Sequence, residues 1–600
     1  MKQLFVLNKY FVKYGRYLLL GILFIFISNY FQALQPRMIR QALDLVVENI
    51  ALFRLYDGFE NQALVFSDFG KVLLFFGLLV VGLALLMGAF LYLVRQTIIV
   101  MSRLIEYDMR KELFAHYEEL NVSFYKRNRT GDMMARIVED VSKVRMYIGP
   151  AMLYGINLVS LFMLVIYSML RVSWELTLYC LAPLPILSIS IYYVSHLINV
   201  RSTKIQVQLA KLTSTAQEVY SGIRVVKSYV QGTPMGRFFR QESQEYMDKS
   251  LKLSRVNALF HPTMLLLIGL STVITVYFGG VQVAKGNITT GNIAEFIIYV
   301  NMLTWPVTAL GWISSLIQQA AASQKRINEF LESKPEITNP VTAPKKLSGR
   351  IAFHNVSFVY PDTGIQALKN VSFELHPGQK MAITGRTGAG KTTIADLLLR
   401  LYDVTEGRIE IDGQDIRQMD LANLRSRTGY VPQDVFLFSD TVSNNVRFGK
   451  PSASQADVEK FTEYAAIHNE ILELPEGYDS MIGERGVTLS GGQKQRVSIA
   501  RALIKQPDIL LLDDCLSAVD TDTEKKIFGS LQKSMAGKTT ILITHRIYSL
   551  LDFDKIVVLE NGEIVEEGTH PELLKMGGYY YEQYENQRIE EQPAIGENGR

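Results

Sequence analysis

Six stretches of about 20 apolar residues, the length a helix needs to cross a bilayer, constrain this chain more than any other feature: 17–36, 72–94, 149–170, 174–194, 258–283 and 292–317. The run Val72–Val94 has no charged residue, and Glu175 and Glu295 stand at the ends of their runs, where water is reachable. Only Arg171, Val172 and Ser173 separate the third run from the fourth, which makes that pair a hairpin. All six precede about residue 320, so the hydrophobic fraction of 48 % averages two unlike halves, and 600 residues exceed what one core supports. Lys2, Lys9, Lys13 and Arg16 precede the first run, which outlasts a signal core and is followed by no small-residue cleavage site. The N-terminus therefore reads as a short amphipathic helix on the cytosolic surface leading into an uncleaved first span.

Loop charge orients the spans. The segment between runs two and three is rich in Lys and Arg, from Arg95 to Arg145, and so is that between runs four and five, from Arg201 to Arg255. The loop between runs five and six offers only Lys285, and the one after the first run is acidic on balance. Both long loops and both termini are thus expected in the cytosol. Met101–Leu120 and Lys204–Tyr220 continue the helical period of the adjoining spans, with tips at Asn121–Gly131 and Thr213–Tyr229 that read as docking elements. The expected organisation is a membrane domain over 1–333, a proline-containing linker over 334–349, an α/β domain over 350–588 and a disordered tail over 589–600. A net charge of +3 gives no case for nucleic acid. Two cysteines, Cys180 and Cys515, cannot build a disulfide framework or a thiolate metal site and read as buried thiols.

The second half carries the chemistry. Gly385-Arg386-Thr387-Gly388-Ala389-Gly390-Lys391-Thr392, followed by Thr393, fits the phosphate-binding loop GxxxxGK[ST], with an apolar strand before it and a helix after it. Its glycines let backbone N–H groups wrap phosphates at a helix N-terminus. Lys391 neutralises β- and γ-phosphate charge, and the Thr392 hydroxyl ligates Mg²⁺. Ile509-Leu-Leu-Leu-Asp513 is an apolar strand delivering a Mg²⁺-directed carboxylate. Leu489-Ser490-Gly491-Gly492-Gln493 opens a further helix and makes a second anion-binding N-terminus.

These three motifs together resemble the ATP-binding cassette (ABC) family over 350–580, and the six runs with their cytosolic tips resemble its type IV exporter fold. The resemblance covers nearly the whole chain. It implies an α-helical six-span transmembrane domain fused to an α/β P-loop nucleotide-binding domain, working as a dimer in the membrane of a bacterial cell, with ATP and Mg²⁺ as cofactors. It implies further that Tyr360 stacks on adenine and that Gln433, in the Q-loop, senses Mg²⁺ and the γ-phosphate. Asp520 belongs to the D-loop, Gly483–Gly486 to an exporter loop that meets the docking tips, and His545 is the switch histidine at the γ-phosphate. Ser490, Gly491, Gly492 and Gln493 act on the ATP held by a second subunit.

One position departs from the family pattern. Where efficient members carry Glu after the strand-end Asp, this chain has Asp514, a carboxylate withdrawn by about 1.5 Å. General-base geometry is limited to hydrogen-bond reach, so slow hydrolysis is expected. In the family such an Asp is typical of one subunit of a heterodimer, a role the intact signature suits, whereas the intact His545 suits a homodimer; both dimers stay open. Phe24, Phe26, Asn29, Phe31, Gln32, Tyr154, Asn157, Tyr299, Asn301 and Trp305 suggest an aromatic, amide-dotted cavity for amphipathic or hydrophobic cargo such as drugs, lipids or peptides. ATP-driven export is the reading; an ATP-gated channel or a non-transporting regulatory subunit of a heterodimer are the alternatives.

Overall fold

The computed structural model describes residues 2–55, 62–339, 346–483, 489–515, 527–532, 535–546 and 552–591. They group into two compact units, 1–118 with 131–333 and 119–130 with 334–600.

Among its described residues the first unit is all helix. The helices Gly15–Leu55, Gln62–Val94, Pro183–Ser221, Gly232–Ala284 and Thr290–Leu331 hold 41, 33, 39, 53 and 42 residues. At 1.5 Å per residue the longest spans about 80 Å, well over twice the ~30 Å of a hydrocarbon layer, so long extensions beyond the bilayer follow from length alone. Among the described residues five helical stretches are long and apolar enough to cross a membrane: Gly15–Ile50, Phe66–Glu119, Thr130–Val172, Gly232–Ala284 and Thr290–Leu331. The fourth expected span, 174–194, is helical too, and several of its side chains lie outside the described residues. Its segment is broken into the helices Trp174–Leu181 and Pro183–Ser221. Pro183 has no N–H to give to the turn before it, which is why the ladder stops there.

The second of these stretches has its most apolar window fully unburied, at a mean hydropathy of 2.7. Leu74, Phe75, Leu78 and Leu85 point outward along it. Such a face is untenable in water and is solvated by hydrocarbon. Two residues expected to line a cavity instead join helices. The Tyr299 hydroxyl donates to the Ala33 carbonyl at 3.2 Å, and the Asn29 amide donates to the Asn157 carbonyl at 3.2 Å. Trp305 remains exposed, 5.3 Å from Tyr154 between ring centres. The N-terminal segment is helical, in the turns Lys2–Leu7 and Asn8–Lys13, with one face buried and the other exposed. Leu7 and Tyr10 are buried, and Lys9 and Lys13 pair with Glu112 (2.6 Å) and Asp108 (2.5 Å) on the helix Val100–Glu119.

Among the described residues the second unit has twelve strands: β1 (Ile351–Val359), β2 (Gln366–Leu375), β3 (Lys380–Gly385), β4 (Glu406–Ile411), β5 (Gln414–Asp415), β6 (Thr428–Val431), β7 (Asp440–Thr441), β8 (Met481–Ile482), β9 (Ile509–Asp513), β10 (Thr539–Ile543), β11 (Lys555–Glu560) and β12 (Glu563–Gly568). An antiparallel sheet runs β2-β1-β4-β5, and the six-stranded sheet β12-β11-β3-β10-β9-β6 is parallel except for β12. The apolar run of β9 is explained by its two covered faces. Ile509 and Leu511 enter one core with Phe353, Ile394 and Ile541, while Leu510 and Leu512 enter another with Val497, Ala500 and Leu503.

The segment 119–130 was expected within the membrane domain, yet it groups with this second unit. Its helix Val122–Arg127 packs Val122 on the core of Phe353, and Asn121 and Ser123 both donate to Glu336, at 2.7 and 3.0 Å. The other tip, the helix Ile223–Ser228 and its flanks, leaves Tyr220, Val225, Tyr229 and Val230 exposed. Helix Tyr579–Glu591 carries through the first residues of the expected tail, and the rest of that tail lies outside the described residues.

Candidate functional site

Strand order dictates which loops meet. The parallel strands end at one edge of the sheet, the place where α/β folds bind ligands. β3 leads into the glycine loop, β10 into Thr544 and His545, β9 into Asp513 and Asp514, and β6 towards Gln433. Ile543 is level with both Ile383 and Asp513, and Val431 with Leu512, so the four loops arrive side by side, about 4.8 Å per strand step. They line a cleft of about 520 Å³ that gathers Tyr360, Lys391, Thr392, Gln433, Asp513, Asp514 and His545.

The glycine loop takes its shape from positions where a side chain cannot stand. A Cβ on Gly385 (φ 141°) would lie 2.1 Å from the Leu559 carbonyl oxygen, and one on Gly390 (φ 98°) 2.4 Å from that of Ala367. Arg386, Thr387 and Gly388 are exposed at the turn. Gly390 opens the helix Lys391–Leu398, which no side chain caps. Lys391 is buried, and its ammonium donates to the carbonyls of Gly385 and Arg386, both at 2.9 Å. Burial lowers its pKa, opposed by the charges of Asp514 and Asp513. Thr393, also in the cleft wall, shares a hydrogen bond with the Tyr360 hydroxyl at 3.0 Å.

Asp513 is almost wholly buried at the end of β9, and burial pushes its carboxyl up to about 6, with the Thr392 hydroxyl and Lys391 pulling it down and Asp514 pushing it up. Its Oδ2 has no hydrogen-bond partner among the described residues. An orphaned buried carboxylate oxygen beside a hydroxyl is a hard-oxygen donor pair, which fits Mg²⁺, an ion held by one or two carboxylates plus substrate phosphates. Asp514 has a left-handed backbone (φ 44°), and its N–H donates to the Ile543 carbonyl at 2.8 Å. Its carboxylate faces the Gln433 amide at 3.5 Å. Burial, then the charge of Lys391, lowers the pKa of His545, while Asp514 raises it; its backbone carbonyl accepts from Gln587 at 2.7 Å.

The signature residues are not in this cleft. Ser490 and Gln493 cap the helix Gly491–Leu503 reciprocally, the Ser490 hydroxyl accepting from the Gln493 backbone N–H (3.2 Å) and the Gln493 side-chain Oε1 from the Ser490 backbone N–H (2.8 Å). Ser490 and Gly491 are exposed. Asp520 lies outside the described residues, as do residues 484–486. Motif reading missed one wall of the cleft, Gln366 and Ala367 of β2 with Asn561 and Gly562 of the β11–β12 turn. Nothing local marks them; only sheet topology brings them to the loop.

A family model described as the ABC transporter transmembrane region matches residues 18–307, and one described as ABC transporter matches 368–517. A Bacillus subtilis (strain 168) protein, the "Probable multidrug resistance ABC transporter ATP-binding/permease protein", is 39 % identical over 490 residues, 81 % of this chain and 84 % of the relative. An "ATP-dependent lipid A-core flippase" of Syntrophus aciditrophicus (strain SB) is 36 % identical over 82 % of this chain and 81 % of its own length. Among solved structures, a bacterial Atm1-family ABC exporter with ATP bound superposes with a TM-score of 0.77 at 27 % identity, over 98 % of this chain and 99 % of the other.

Proposed function

The chain belongs to the ABC transporter family, a multi-pass membrane region and an ATP-binding domain in one polypeptide, and from that premise we propose that it drives hydrophobic or amphipathic compounds out across the bacterial inner membrane with Mg-ATP. The observation that carries this reading is the gathering of Lys391, Thr392, Asp513, Asp514, Gln433 and His545 in one cleft. The multidrug and lipid A-core names of the relatives point to cargo of the same apolar character.

In this reading the triphosphate takes the place of the Gly385 and Arg386 carbonyls as the partner of the Lys391 ammonium, while the turn at residues 386–388 offers its backbone to the phosphates. Thr392 and Asp513 hold Mg²⁺, which would neutralise phosphate charge during transfer. Asp514 and Gln433 face the attacking water, and a His545 ring N–H donates to the γ-phosphate. Tyr360 stacks on the base. The active unit is a dimer: the exposed N-terminus of the helix Gly491–Leu503, with no acidic residue in its first turn, suits the ATP of a second cassette. The apolar tip at Tyr220, Val225 and Tyr229 suits docking on that partner. Asp514, one methylene shorter than Glu, favours a partner that carries the faster site.

Inverted membrane vesicles test the reading. ATP should drive uphill accumulation of a fluorescent amphiphile, and Lys391→Ala should abolish it in a dimer with no other competent site. Downhill ion current in place of uptake would establish the channel alternative, and unchanged uptake in the variant would sink the assignment of the loop.

A further inference from the structure

The ring of Tyr360 is held from outside the cleft by a cation that no motif announces. Lys126, at the tip of the first cytosolic loop, places its ammonium 4.9 Å from the centre of the Tyr360 ring and 5.3 Å from that of Tyr402. The two rings meet edge to face, 5.5 Å apart at 86°, and Phe358 adds a second edge at 4.9 Å and 77°. Asp396, on the helix Lys391–Leu398, is the carboxyl group felt by this cation; burial pushes its pKa to about 6 against the lowering pull of Lys126. Tyr360 lines the cleft, whereas Lys126 and Tyr402 do not.

The bond from the Tyr360 hydroxyl to Thr393 fixes the far end of the ring. It leaves the plane free, because rotation about the long axis of a tyrosine barely moves its oxygen. Whatever sets the plane must act on the ring itself: Phe358 and Tyr402 pack against it nearly at right angles, and Lys126 lies over it. A ring already fixed loses little further freedom when a base stacks on it. The lysine is itself anchored through Asn121 and Ser123 to Glu336, on a segment covalently continuous with the helix Val100–Glu119.

We propose that Lys126 is a positioning residue for nucleotide: seated over Tyr360 and Tyr402, it sets the plane of Tyr360 and thereby makes affinity for the adenine base depend on the first loop tip being docked. This rests on Tyr360 being the adenine contact. By reciprocity, base binding then favours a docked tip.

Equilibrium binding to the full chain in nanodiscs separates the terms, with ATP and inorganic tripolyphosphate as probes. A cation–π contact of this kind is worth about a three- to tenfold change in affinity. Lys126→Ala should weaken ATP by that factor and leave tripolyphosphate unchanged, and Lys126→Arg should retain wild-type ATP affinity. In a Tyr360→Ala background, Lys126→Ala should have no further effect. Equal loss of ATP and tripolyphosphate, or a loss that persists without Tyr360, would overturn the proposal while leaving the adenine role of Tyr360 intact. Unchanged ATP affinity in Tyr360→Ala alone would remove the premise and the proposal with it.

Discussion

At Asp513 a carboxyl group is carried into the interior by an apolar strand, and one of its oxygens finds no partner among the described residues. Its pKa is raised from 3.8 to about 6, first by burial. A carboxyl whose folded pKa lies above its unfolded value destabilises the fold as pH rises, here between about 4 and 6, because the unfolded chain then holds fewer protons. The neutral Asp513→Asn variant escapes that penalty. Its thermal unfolding without nucleotide should match wild type near pH 4 and exceed it above pH 6, by up to about 3 kcal/mol. Added Mg-ATP should reverse the order, stabilising wild type and not the variant. Equal unfolding midpoints at pH 8 would show that the buried charge is compensated. Asp513 was legible because a carboxylate ending four apolar residues has one use beside a phosphate loop. Lys126 and Tyr402 were not, since a contact between distant segments leaves no local spacing to read.

Secondary-structure elements were legible where one period dominates. The alternation of β9 between two cores and the apolar windows of the five membrane-length helices follow from residue type alone. The segment 174–194 is apolar enough to be read as a span, but its interior prolines decide the backbone, and the helix breaks before Pro183. The break does not prevent crossing, because helix-breaking residues are tolerated where neighbours satisfy the freed groups. Labelling with a membrane-impermeant maleimide decides it cleanly, since Cys180 and Cys515 are both buried. If the broken segment spans, Asp68→Cys reacts in intact cells and Arg224→Cys reacts only after permeabilisation, as the basic loops require. If it does not span, both react from outside, and the cassette-side assignment of the second tip falls.

For the molecule as a whole, the sequence reading reaches the two kinds of unit and the chemistry of one half-site, and stops at the partner. A dimer interface is a match between surfaces, and a single chain presents only one of them: an exposed Ser490 turn, an apolar second tip and a cleft lacking a signature motif. Asp514 is the residue that can report the partner. Its backbone already stands in the left-handed region (φ 44°), so the side chain cannot regain the lost methylene by an easy backbone shift. Asp514→Glu should therefore extend the carboxylate by about 1.5 Å, past its present place near Gln433, and raise the ATPase rate of the purified chain by up to about 10²-fold if base placement limits turnover. In a homodimer, adding Ser490→Ala should erase most of that gain, because each signature serves the opposite ATP. In a heterodimer, the chain alone should bind ATP and turn over slowly, with normal rates returning when a subunit bearing Glu at this place is added. A lower rate for Asp514→Glu would show a loop adapted to the shorter acid and make this chain a competent homodimer. An unchanged rate for Asp514→Ala in a verified homodimer would remove this carboxylate from catalysis altogether.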